Sequence, residues 1–133
     1  MAVSVTNTDM TSFNAITALT ANPATDLVAN HAEVFTITPT RRDGRVIIII
    51  DNVASDQGTV TYSIAAGGYW GADAALTGAV AQGVKSAIVL EGYKYKSASA
   101  TIVITFTPAT DKILLTNHAL SVYVLELPFN STI

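Results

Sequence analysis

The chain has 133 residues, a formal net charge of −3 at pH 7 and a pI near 5.1; half of its residues are apolar and 13% are charged. This length suits a single domain with its own core, and the acidic balance excludes a protein that binds nucleic acid through a broad basic field. The absence of cysteine excludes disulfide bonds, thiolate catalysis and Cys-based zinc sites.

β-Branched residues dominate the composition, with 12 Ile, 13 Val and 18 Thr making up about a third of the chain. Their side chains are stiff at χ1 and pack well on a pleated sheet, so the composition predicts an all-β fold. No apolar run approaches the roughly 20 residues of a membrane-spanning helix, and the first basic residue is Arg41, too late for the charged start of a signal peptide. We therefore expect synthesis in the cytoplasm, with neither a membrane nor a nucleic acid as partner.

The first 31 residues are rich in Thr, Asn and Ala and contain no Lys or Arg. They predict an extended N-terminal arm, residues 1–31, in front of a β-sandwich domain, residues 32–133. Phe13, Ile16 and Leu19 are its apolar residues that could dock a short strand or turn. Two interpretations stay open: a frayed or edge-strand terminus, and an arm that reaches a neighbouring subunit.

From residue 32 onward, strand signals alternate with turn signals, which favours an antiparallel sandwich of two sheets. Asp43 and Gly44 form a two-residue hairpin signal. Residues 67–83 interrupt the rhythm and predict a long loop, with at most two helical turns after Asp73. The topology stays open between immunoglobulin-like and jelly-roll. The predicted strands are residues 33–38, 45–51, 59–65, 84–91, 100–107, 113–115 and 120–127.

Two of these strands are apolar on both faces. Residues 46–50 are apolar at five consecutive positions, which indicates a central strand or one that lies under a subunit interface. In residues 120–127, Tyr123, Leu125 and Leu127 point to one face of the strand, and the remaining apolar side chains point to the opposite face. Two such strands are hard to bury within one small domain, so we expect a homo-oligomer, with a trimer ahead of a dimer.

Motifs for catalysis are absent from the sequence. It has no nucleophile elbow, phosphate-binding loop, zinc-protease motif or dinucleotide fingerprint, and His31 and His118 stand alone in polar, turn-like settings. A calcium site in residues 51–57 is not expected, because the oxygen-bearing side chains do not have the spacing of an EF-hand loop. The sequence therefore predicts no enzyme, no cofactor and no metal.

Two loops carry the remaining candidate contact residues. Arg41, Arg42 and Arg45 place three of the seven basic residues on one hairpin tip, which could dock on an acidic surface. Tyr69 and Trp70 lie between glycines; they could fold back over the sandwich, anchor an interface or stack on a sugar. Together with the apolar arm residues, these are the predicted partner-binding residues.

The Thr/Asn/Ala-rich N-terminus is followed by segments 35–39 (FTITP), 45–52 (RVIIIIDN), 58–70 (GTVTYSIAAGGYW), 102–110 (IVITFTPAT) and 120–127 (LSVYVLEL). This pattern, over roughly residues 33–127, resembles small bacteriophage structural proteins encoded near capsid genes. The resemblance implies a capsid decoration (cement) protein on the virion surface, which binds the major capsid protein and is often a trimer. A phage tail, fibre or head–tail component, and a carbohydrate-binding sandwich module, are the alternatives.

Overall fold

A computed structural model describes residues 2–12, 14–40, 45–53, 58–68, 74–114 and 120–128. Within these ranges the chain forms ten strands and a single helical turn. No helix among them is long and apolar enough to cross a membrane. The elements are β1 (Ala2–Ser4), β2 (Thr8–Asp9), β3 (Asn22–Pro23), β4 (Glu33–Ile37), β5 (Arg45–Asn52), β6 (Val60–Ile64), β7 (Leu76–Val80), β8 (Val84–Glu91), α1 (Gly92–Tyr95), β9 (Ile102–Thr107) and β10 (Ser121–Glu126).

The strands form two sheets that pack as a sandwich, which confirms the predicted all-β fold class. The first sheet has the order β1-β4-β9-β6-β7 and the second has the order β2-β10-β5-β8, with β3 also paired to β10. The longer strands pair antiparallel, whereas the short β1 and β2 join β4 and β10 in parallel.

The core lies between the sheets because inward and outward side chains alternate along each strand. In β9 the inward side chains are Ile102, Ile104 and Phe106, all fully buried, as the period-2 pattern predicts. The rings of Phe106 and Phe35 meet edge to face, with centroids 5.1 Å apart. The strands β5, β8 and β10 of the second sheet contribute six of the buried core residues: Val46, Ile48, Ile50, Leu90, Val122 and Val124.

The predicted loop at residues 67–83 is wrong over its second half, which forms β7. Ala-rich sequence favoured a short helix there, but Leu76 and Val80 face inward and pair with β6. Gly78 fits this strand because the Tyr62 ring lies over it: a Cβ at Gly78 would be 2.5 Å from the Tyr62 hydroxyl oxygen. The predicted strand at 113–115 is also not found at Ile113 and Leu114, which lie outside any strand.

The N-terminal residues, for which an arm is predicted, pair with both sheets at three places. β1 lies along the first sheet, and β2 and β3 lie along β10 of the second. The segment thus crosses from one sheet to the other. Buried Asn22 fastens it: its Oδ1 accepts the Thr6 N–H at 2.7 Å, and its Nδ2 lies 3.0 Å from the Val122 carbonyl oxygen. Contact of this segment with a neighbouring subunit stays a prediction.

Candidate interaction surface

The outer face of the second sheet carries six apolar side chains, which we call the apolar face. The two strands predicted to be apolar on both sides, β5 and β10, are neighbours in this sheet. Their inward residues fill the core, so their second apolar faces lie together on the outside. The apolar face consists of Ile47, Ile49, Ala87, Val89, Tyr123 and Leu125.

Strand register arranges these side chains in two rows across β8, β5 and β10. One row is Val89, Ile47 and Leu125, and the second is Ala87, Ile49 and Tyr123. Val89 is 65% exposed and Ala87 is exposed, while the other four are partly exposed. With strands about 4.8 Å apart and outward residues about 6.8 Å apart along a strand, the six side chains cover roughly 200 Å².

A polar row borders the apolar face at one end. In it Lys85, Asp51 and Ser121 are directly opposite one another on β8, β5 and β10. The Lys85 ammonium lies 3.4 Å from Oδ2 of Asp51, and Oδ1 of Asp51 accepts the Val53 N–H at 3.2 Å. An apolar centre with a charged border is the usual composition of a protein–protein interface.

The outer face of the first sheet is different in chemistry. Its outward positions on β4, β9, β6 and β7 are mostly hydroxyl-bearing, and Val34 and Val103 are separated by Thr residues. Among the described strands, only those of the second sheet therefore present a contiguous apolar outer face. The hydroxyl-bearing residues of the first sheet are Thr36, Thr61, Ser63, Thr77, Thr105 and Thr107.

The loop between β2 and β3 projects two of the predicted partner-binding residues. Ile16 is fully exposed and Leu19 is 47% exposed. The loop is fastened at both ends, because the Met10 N–H donates to the Glu126 carbonyl at 2.9 Å and the Thr20 N–H donates to Oγ1 of Thr8 at 3.1 Å. Exposed apolar residues on a tethered loop are a second candidate contact point.

The side chains of the other predicted partner-binding residues are not among those that the structure describes. Phe13, Arg41, Arg42, Tyr69 and Trp70 lie outside the described residues. Arg45 begins β5, where its backbone is opposite Glu91, but its side chain is likewise not described. The hairpin-tip and aromatic-loop hypotheses therefore stay predictions.

Sequence reasoning missed the contribution of β8 to the apolar face. The signal was present, because residues 87–90 are four consecutive apolar residues, Ala-Ile-Val-Leu. Ile88 and Leu90 face the core, which leaves Ala87 and Val89 outside.

A turn at residues 25–33 holds the buried carboxylates nearest to His31. Glu33 is fully buried and accepts the backbone N–H groups of Thr25 and Asp26 and the Thr25 hydroxyl. Nδ1 of His31 lies 3.4 Å from Oδ2 of Asp26, an ion pair when His31 is protonated. These contacts hold the turn in place. In the described residues no group of three or more His, Cys, Asp or Glu could hold a metal ion.

Comparison of the chain with protein-family models, with curated proteins and with solved structures finds no match.

Proposed function

We propose that this chain is a structural binding protein that docks through its apolar face onto a larger protein assembly, namely the outer surface of a bacteriophage capsid. The observation that carries the proposal is the difference between the two outer faces of the sandwich: that of the second sheet is apolar, and that of the first sheet is mostly hydroxyl-bearing. A face of six apolar residues in register would otherwise remain in contact with water, and contiguous exposed apolar patches mark interaction sites.

The energetics suit attachment to a preassembled surface. Burying one large aliphatic side chain contributes about 1.5–3 kcal/mol, and each 1.4 kcal/mol changes a Kd tenfold. The apolar face covers roughly 200 Å², against about 800 Å² per partner in a standard interface. It would thus form the centre of a contact, and further residues such as Lys85, Asp51 and the exposed Ile16 and Leu19 would complete it.

The identity of the partner rests on the resemblance to phage virion proteins. A capsid decoration protein needs a stable fold and a contact surface rather than a reaction centre. The major capsid protein is therefore the proposed partner. The alternative is that the chain is a tail, fibre or head–tail component of the same virion. That role would explain the same features and differs only in its partner.

Co-sedimentation with capsids tests the proposal. The capsids are assembled from the major capsid protein of the same genome, in the absence of this protein. The test variant carries Ile49→Thr and Leu125→Thr in the apolar face. A matched control carries Val34→Thr and Val103→Thr on the outer face of the first sheet. We expect the test variant to bind at least about tenfold more weakly and the control to bind like the parent chain.

A second variant isolates the exposed loop. Ile16→Ser with Leu19→Ser removes its apolar side chains and leaves β1, β2 and β3 in place, which deletion of the whole N-terminal segment would not do. Weaker capsid binding of this variant would place the loop in the contact. Equal binding by the apolar-face variant and the parent would reject the apolar face as the docking surface, and a parent chain that fails to bind capsids would reject the capsid as partner.

A further inference from the structure

β8 is the longest edge strand among the described residues. It is hydrogen-bonded to β5 on one side, and no other described strand pairs with it. The other strands at sheet edges are shorter: β8 has eight residues, β7 has five, β1 has three and β2 has two. An edge strand of this length presents a row of backbone N–H and C=O groups that can template another strand.

Within the β8 sequence, the charged residues lie near the two ends of the strand. Lys85 and Glu91 are its charged residues, and the five residues between them, Ser-Ala-Ile-Val-Leu, contain neither a charge nor a proline. Charged side chains and prolines are the usual devices that prevent edge pairing. The centre of β8 therefore contains neither of these two devices in its own sequence.

The two charges select one register for an antiparallel pair of β8 strands. Residues directly opposite in such a pair point to the same face, so outward residues must oppose outward residues. Among the registers of this parity, one sets Lys85 of each copy opposite Glu91 of the other. The same register sets Ala87 opposite Val89 and places Ile88 on a two-fold axis.

We propose that two copies of this chain associate through β8, in this register, to form one continuous sheet across a two-fold axis. The interface is isologous, with each copy contributing the same strand. Lys85 has a side chain 56% exposed and Glu91 has one 54% exposed, so both can reach across the edge while they keep their contacts with Asp51 and Lys94 in their own chain.

Pairing through β8 has a consequence for the apolar face. The two-fold axis runs through the sheet, perpendicular to it, so the apolar faces of both copies lie on the same side. They join into one surface of roughly 400 Å². The pairing does not depend on what covers this surface, and its test needs no capsid.

Charge reversal tests the register. In a Lys85→Glu homodimer, two glutamates oppose each other at both ends of the strand pair, and Glu91→Lys opposes lysines in the same way. We expect each variant to dimerise about tenfold more weakly than the parent in sedimentation equilibrium at low salt. An equimolar mixture of the two variants restores both Lys–Glu pairs in a heterodimer, and its Kd should return to the parent value.

The restored affinity of the mixture cannot come from an interaction between residues 85 and 91 of the same chain. Lys85 and Glu91 are six residues apart on one strand, about 20 Å, which exceeds the Debye length of about 10 Å at 0.1 M salt. Lys112→Glu is the matched control, because it makes the same charge change at an exposed residue outside the strands. It should dimerise like the parent. Its heterodimer with Glu91→Lys keeps one Lys–Lys pair beside one Lys–Glu pair, so mixing these two variants should restore only part of the parent's affinity.

Cysteine cross-linking tests the same register by distance. The chain has no cysteine, so Ala87→Cys in one copy and Val89→Cys in the other introduce the only thiols. Opposite residues have Cβ atoms about 5 Å apart and diagonal ones about 7–8 Å, so the mixture should form a disulfide faster than either variant alone. A parent chain that is monomeric at about 100 μM, a parent trimer, a mixture of charge variants without rescue, or equal cross-linking rates would each overturn the proposal.

Discussion

Asn22 is the residue on which the attachment of the N-terminal segment depends most. Its Oδ1 accepts the Thr6 N–H, and its Nδ2 lies within 3.3 Å of the carbonyl oxygens of Thr6, Thr20 and Val122. Truncation would leave these backbone groups without partners in a buried place. We expect Asn22→Ala to lower the free energy of unfolding by about 2–3 kcal/mol.

Urea unfolding measures this effect, and Asn7→Ala is its control. Asn7 donates one exposed hydrogen bond to the Thr38 carbonyl, and its own Oδ1 is buried without a partner. Its removal should cost less than about 1 kcal/mol. Equal losses for the two variants would mean that Asn22 does not fasten the segment.

Gly67 is required by a close approach between two backbone segments. A Cβ at this position would lie 2.3 Å from the Lys94 carbonyl oxygen, the group that accepts the Gly67 N–H at 3.0 Å. We expect Gly67→Ala to destabilise the protein by about 1–3 kcal/mol, since backbone must move to admit the methyl group. Gly68→Ala is the neighbouring control, because its Cβ would meet the nearest atom, the Ala98 nitrogen, at 3.1 Å. Thermal unfolding that ranks Gly68→Ala as the more harmful change would contradict this account.

At the scale of the element, adjacent residues of β5 have opposite roles. Ile48 is fully buried between the sheets, whereas Ile49 lies on the apolar face. Ile48→Ala should cost about 2–5 kcal/mol because it leaves a cavity, and Ile49→Ala about 1 kcal/mol. Chemical denaturation of the two variants at low protein concentration checks this, since dilution removes any contribution of self-association. Similar losses would show that the outer face is more deeply covered than the strand register indicates.

The sequence predicted the positions of the strands better than it predicted which strands lie beside one another. Alternation at Ile102, Ile104 and Phe106 marks one strand and its buried face, because a period of two is a local property. The sequence did not predict β7, because alanine and glycine have weak strand propensity. Gly78 fits the strand because the Tyr62 ring packs over it, which its own propensity does not indicate.

The apolar face could be predicted only in part, for the same reason. The second apolar faces of β5 and β10 are visible in the sequence, but their pairing joins residues some 70 positions apart, Ile49 with Tyr123. A local sequence pattern does not indicate which of two strands so far apart in the chain will pair. The edge position of β8, which carries the proposed pairing, likewise follows from the topology alone.

At the scale of the whole molecule, the second sheet is assembled from both ends of the chain. β2 and β3 lie near the N-terminus and pair with β10, which lies near the C-terminus and is opposite β5. Such non-local pairing predicts slow folding for a small domain, in the range of roughly milliseconds to seconds. It also predicts an order of events, because β2 and β3 have two residues each and pair with β10, which we expect to be ordered first by its six-residue pairing with β5.

This order makes a kinetic prediction that separates two substitutions by mechanism. Ile48→Ala weakens the pairing of β5 with β10, where Ile48 is opposite Val124, so it should slow folding. Asn22→Ala weakens a contact made after that pairing, so it should accelerate unfolding and leave the folding rate nearly unchanged. Stopped-flow refolding and unfolding across a range of urea concentrations gives both rates for each variant. If Asn22→Ala slows folding by as large a share of its total destabilisation as Ile48→Ala does, the N-terminal segment joins before the sheet is complete and the proposed order is wrong.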